Sequence, residues 1–105
     1  MTTSNPVPEI EPAAAQQAAG EPGGLLLDVR EPDEWEAGHA PTAVHVPLAQ
    51  VRAEDLPAGG TVYCICRSGG RSGKAAEALL GAGLQAVNVA GGMNAWNAAG
   101  LPVVR

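Results

Sequence analysis

At 105 residues, 46% hydrophobic and 16% charged, the chain suits one compact domain over residues 1–105, with enough apolar material for a core. A formal charge of −5 and a pI near 4.8 argue against nucleic acid or an anionic membrane surface as the partner, since either repels the average surface. No stretch reaches the roughly 18 consecutive apolar residues of a membrane span, and the opening MTTSNPVPEIEP has neither the basic nor the apolar region of a secretory signal, so the expected compartment is the cytoplasm.

Residues 1–6 are expected to form a flexible tail. EPAAAQQAA (11–19) suits a helix by propensity, and GEPGG (20–24) is turn-forming punctuation. LLLDV (25–29) then reads as a buried strand. In EPDEWEAG, Pro32 suits a first helical turn, the acids favour a helix N-terminus and Gly38 a stop, which predicts a short helix. AVHVP (43–47) and TVYCI (61–65) are two further strands, separated by PAGG (57–60) and its turn chemistry. RSGKAAEALLGAG puts Ala75, Ala76, Leu79 and Leu80 on one helical face and ends in Gly81 and Gly83. AVNVA (86–90) is the last strand, and GGMNAWNAAG suits a final helix. Strands alternating with helices imply a mainly parallel sheet covered on both faces, in which ligands bind at the carboxyl ends of strands. CRSGGRS lies at such a junction.

Ten of the eleven acids precede residue 56, and none lies between Leu56 and Ala76, the window that holds Arg67, Arg71 and Lys74. CICRSGGRSGK is therefore a positive island in an acidic chain. By itself such an island is usually a solvated face, but this one borders a cysteine. With the strand ending near Ile65 and the helix beginning near Ser72, residues Cys66 to Arg71 form a loop opening onto a helix N-terminus. Free N–H groups and the positive end of the helix dipole favour an anion there, and Gly69 and Gly70 let the chain curl without a Cβ clash. Such surroundings lower a cysteine pKa from about 8.5 to roughly 3.5–7.5. Cys66 is thus the candidate nucleophile.

Other uses of the cysteines fit less well. A C-x-C metal site needs further soft ligands, and only His39 and His45 remain. A disulfide would join residues about 6.6 Å apart along a strand, near the limit for a bridge. Cys64, inside an apolar strand, reads as a small core residue, with a resolving or redox role as its alternative.

Three segments in order, LLLDVREPDEWEAGHAPTAVHVPL, VYCICRSGGRS, and VAGGMNAW followed by AAGLPV, resemble the rhodanese family of sulfurtransferases from about Leu25 to Val103. The resemblance implies an α/β fold, a central, mostly parallel sheet of about five strands flanked by helices on both faces. It implies that Cys66 carries the transferred sulfur as a persulfide. The amides of Arg67, Ser68, Gly69, Gly70, Arg71 and Ser72 would cradle it, while the Arg71 side chain braces the loop and complements negative charge. The implied donor is an anion such as thiosulfate, and the acceptor is cyanide in an assay or a thiol or protein thiol in cells. A protein desulfurase is an alternative donor, and neither cofactor nor metal is expected. Ala40 and Thr42 depart from the common G-H-I-P-G-A pattern, and Cys64 is an additional cysteine beside the site.

Asp28 and Arg30 of DVRE are expected to order the neighbouring loop by hydrogen bonding or pairing, and His39, His45 and Trp96 to be structural. Two rival functions remain. A cysteine-dependent phosphatase or arsenate reductase also pairs cysteine with arginine, but its loop encloses five residues where RSGG here is four. A non-catalytic sulfur-carrier or binding module could keep the fold, though it has no need of a thiolate in an anion cradle.

Overall fold

The computed structural model of the chain describes residues 7–105, so the tail expected at residues 1–6 lies outside the described residues. Strands β1 (Glu9–Ile10), β2 (Gly24–Asp28), β3 (Val44–His45), β4 (Thr61–Ile65) and β5 (Gln85–Val89) form one parallel sheet in the order β1-β5-β4-β2-β3. Helices α1 (Pro12–Ala19), α2 (Pro32–Glu36), α3 (Gly70–Gly81) and α4 (Gly92–Ala98) connect or follow them. The architecture is α/β, as the alternation of patterns implies.

Side chains alternate across the central strand and divide the core in two. Val62, Cys64 and Cys66 face Ala75, Ala76 and Leu79 of α3 on one side of the sheet. Ile65 and Tyr63 pack with Ala15 of α1 and with Met93 and Trp96 of α4 on the other. Each buried Leu or Ile contributes roughly 1.5–3 kcal/mol, and the alanines let α3 approach the sheet closely. Trp96 is a core residue whose Nε1–H donates to the Pro102 carbonyl at 2.8 Å.

Besides one-residue displacements of β2 and β5 from the expected 25–29 and 86–90, three elements differ from the sequence expectation. β1 is an added strand, two residues that pair Glu9 with Asn88 and Ile10 with Val89 on β5, too short to show a period. β3 is Val44–His45 instead of the whole 43–47 run, because Pro47 has no N–H to give and the chain passes into a 3-10 turn at Leu48–Gln50. Helix α3 begins at Gly70, two residues before the expected Ser72. Gly69 takes the turn at φ 111°, a left-handed conformation open to glycine, and its carbonyl accepts the Gly73 N–H at 3.1 Å.

Candidate active site

Where β4 ends, the chain runs straight into Cys66, whose side chain continues the alternation and faces α3. The residue is 1% exposed, whereas Arg67, Ser68 and Gly70 of the overlying loop are exposed. Donors converge on its sulfur. The Gly69 N–H lies 3.1 Å from Cys66 Sγ and the Ser72 hydroxyl 3.2 Å. Burial pushes the Cys66 thiol up, but hydrogen bonds from the Ser72 hydroxyl and from the amides of Ser72, Gly69 and Ser68 together hold it below its ordinary value.

The loop is held open by the start of α4. Met93 N–H donates to the Cys66 carbonyl at 2.7 Å and Asn94 N–H to the Arg67 carbonyl at 3.0 Å, so first-turn amides without helical partners are satisfied. In a planar trans peptide the N–H points opposite to the C=O. Drawing those two carbonyls toward α4 therefore turns the Arg67 and Ser68 amides the other way. Gly92 makes this approach possible: it sits at φ 57°, and a Cβ there would collide with the Cys66 oxygen and the Arg67 carbonyl group. The glycine pair of VAGGMNAW is thus part of the site.

Arg71, in the first turn of α3, is engaged with α2. Its two terminal nitrogens donate to Glu34 Oε1 at 2.6 Å and Oε2 at 2.8 Å. The Arg71 hydrogen bonds outweigh burial and hold Glu34 down to about 2, and the same pairing raises Arg71 further. Glu34 also accepts the Glu31 N–H at 3.0 Å in a capping box that starts α2.

Asp28 and Arg30 do not meet the sulfur. Arg30 Nε donates to both Asp28 oxygens at 3.0 Å, and its Nη2 to Oδ2 at 2.8 Å, in a buried fork. The remaining Arg30 donors reach the carbonyls of Glu34 at 3.1 Å and Gly38 at 2.8 Å. This pair ties down the middle of α2 and the turn that follows it, and α2 in turn presents Glu34 to Arg71. His39 and His45 stack on Trp35 with ring centroids 3.5 and 4.7 Å apart and bond to the carbonyls of Trp35 and Arg30.

Cys64 has none of these donors: burial, with the neighbouring Cys66 charge, pushes its thiol up to about 12. Both cysteines are free thiols. Arg67 and Lys74 are exposed, and neither has an ion pair among the described residues. Among the described residues no group of three or more His, Cys, Asp or Glu is arranged to hold a metal ion, and no helix is long and apolar enough to cross a membrane.

Sequence reasoning missed Glu34 and Asn88. Asn88 is buried on β5 and takes the Ser72 hydroxyl on Oδ1 at 2.6 Å. One signal was available, a single amide in the middle of the apolar run AVNVA. For Glu34, 37 residues from Arg71, no local signal exists.

Comparison with known proteins adds the following. A family model described as Rhodanese-like domain matches residues 11–99. A sulfurtransferase of Allochromatium vinosum is 37% identical over 93 residues, covering 86% of this chain and 87% of that protein. The thiosulfate sulfurtransferase GlpE of Pseudomonas syringae pv. syringae is 36% identical over 90 residues, covering 81% and 83%. The chain spans about half the length of two further curated relatives, 55% of one from Synechocystis and 51% of one from Bacillus subtilis. A solved rhodanese-related protein of Thermoplasma volcanium matches with a TM-score of 0.83 at 31% identity, over 92% of this chain and 97% of that one.

Proposed function

The chain belongs to the rhodanese-like domain family, and on that premise we propose that it moves a sulfane sulfur from an anionic donor to a thiophilic acceptor through a persulfide on Cys66. The observation that carries this reading is the convergence of Gly69 N–H and the Ser72 hydroxyl on Cys66 Sγ. They favour the thiolate, the form of sulfur that attacks.

In the first half-reaction the Cys66 thiolate attacks the outer sulfur of thiosulfate. A new S–S bond forms, the donor's S–S bond breaks, and sulfite leaves with the electron pair. The cradle of loop amides stabilises the negative charge on the enzyme-bound sulfur. Exposed Arg67 and the positive N-terminus of α3 assist approach of the anion. In the second half-reaction an acceptor such as cyanide attacks the outer persulfide sulfur, leaves as thiocyanate and restores the thiolate. No oxidant, cofactor or metal enters the balance.

The thiosulfate sulfurtransferase among the relatives supports this donor. In cells the acceptor is a thiol or protein thiol, and a protein desulfurase is an alternative source of sulfur. The reading assigns the chain to the cytoplasm, where thiols stay reduced. Steady-state assay with thiosulfate and cyanide, beside an aryl phosphate control, tests the proposal. Thiocyanate without phosphate release is expected. Phosphate release without thiocyanate would overturn it.

A further inference from the structure

Asn88 stands on β5 in register with Cys64, on the sheet face that carries both cysteines. It is 4% exposed, and all its polar atoms are engaged. Nδ2 donates to the Gly69 carbonyl at 3.0 Å and to Glu9 Oε2 at 3.1 Å. Both partners are acceptors, which settles which end of the carboxamide is nitrogen. Oδ1 therefore faces Ser72 Oγ, 2.6 Å away, and the Ser72 hydroxyl in turn lies 3.2 Å from Cys66 Sγ.

A hydroxyl has one proton and two lone pairs. When Cys66 is a thiol, its S–H can donate to Ser72 Oγ while Ser72 donates to Asn88 Oδ1, and every group is satisfied. An anionic sulfur has no proton to give, so it competes with Asn88 Oδ1 for the Ser72 proton. If the sulfur wins, Asn88 Oδ1 is left unpaired in a buried place, which is costly; if Asn88 wins, the sulfur keeps only the loop amides. The other end of Asn88 acts in the opposite sense. By holding the Gly69 carbonyl it keeps in place the turn whose N–H points at the sulfur.

We propose that Asn88 is a positioning residue for the sulfur site: its carboxamide secures the Gly69 turn and competes with Cys66 for the single Ser72 proton, setting how strongly the cradle favours an anionic sulfur. Asn88 itself touches no substrate. The inference rests on the reading of Cys66 as the reacting sulfur. The charged and titratable groups around this sulfur are Glu9 on β1, Cys64 on β4, exposed Arg67 in the loop, and Arg71 on α3 with Glu31 and Glu34 at the start of α2. From α4 come the backbone amides of Met93 and Asn94.

The test is the pH dependence of Cys66 alkylation by iodoacetamide in the whole chain carrying Cys64→Ser. Ser72→Ala should raise the alkylation midpoint by about one pH unit, since a donor to the thiolate is lost. Asn88→Ala should raise it more in the Ser72→Ala background than with Ser72 present, by roughly half a pH unit. The freed hydroxyl otherwise offsets part of the loosened cradle. Asn88→Val suits a strand, fills most of the space and, like alanine, removes both ends of the carboxamide, so it serves if the alanine variant fails to fold, with a coupling of the same sign. Equal shifts in the two backgrounds, or a coupling of the opposite sign, overturn the proposal. A change in melting temperature alone would not reproduce this pattern. Iodoacetamide needs no sulfur donor, so failure here and failure of the sulfur-transfer reading are separate results.

Discussion

Cys64 and Cys66 lie on one face of one strand and its extension, pack against the same helix, and are 0% and 1% exposed. Yet the first is pushed up to about 12 and the second is held below its ordinary value. Burial alone does not make a cysteine reactive or inert. At Cys64 the chain is tied to β2 and β5 on either side, in register with Leu27 and Asn88, and its amides have no freedom to turn on a sulfur. Beyond Ile65 the pairing stops, and the amides of Ser68, Gly69 and Ser72 serve the thiolate instead of a neighbouring strand. The thiolate is favoured where the sheet runs out of partners while its core continues.

The contrast is broken most severely by Cys66→Ser, which should lower turnover with thiosulfate and cyanide by about 10³-fold or more, while Cys64→Ser under reducing conditions retains it. Gly92→Ala acts next. Its Cβ has no room against the Cys66 and Arg67 carbonyls, so kcat/KM should fall by about 10²-fold and stability by about 1–3 kcal/mol. Urea unfolding measures the second figure.

An alkaline titration sharpens the comparison without disturbing the cradle. The folded value of Cys64 lies above its unfolded one, so the unfolded chain releases that proton first, and stability is lost as pH rises beyond about 9. One proton gives a slope of about 1.4 kcal/mol per pH unit. Cys66 has the opposite sign, adding stability as pH climbs from its folded value toward 9. Denaturant unfolding of Cys64→Ser should show the alkaline loss flattened, and that of Cys66→Ser should keep it, over a shorter span because the Cys66 charge that helps raise Cys64 is gone.

Arg71→Ala has the smallest effect on stability, under about 1 kcal/mol, because the guanidinium is 35% exposed and water screens the pair. Its signature is the acid limb. Glu34 is lowered from 4.5 to about 2, so its contribution is present above 4.5 and lost as pH falls through about 2. Unfolding of the variant between those values should lack this slope, with kcat/KM reduced about tenfold as the loop loses its tie to α2.

Legibility in the sequence followed the range of the interactions. TVYCI was readable to the residue because β-branched and apolar positions run unbroken between two glycine-rich turns. The start of α3 was read two residues late because Gly69 and Gly70 look like loop, and only the left-handed turn at Gly69 admits Gly70 to the helix. Cys66 and its loop were visible because strand, glycines and helix are contiguous. The partners that tune the site were not: Glu34 meets Arg71 across 37 residues, Glu9 meets Asn88 across 79, and the α4 amides reach back to the loop carbonyls. Such contacts are made by topology, and no local pattern encodes them.

The assignment of reactivity to Cys66 and not Cys64 is tested most directly by mass spectrometry of Cys64→Ser and Cys66→Ser after treatment with thiosulfate. A sulfur adduct of about 32 Da on Cys64→Ser and none on Cys66→Ser is the predicted result. An adduct on Cys66→Ser, with none on Cys64→Ser, would contradict it.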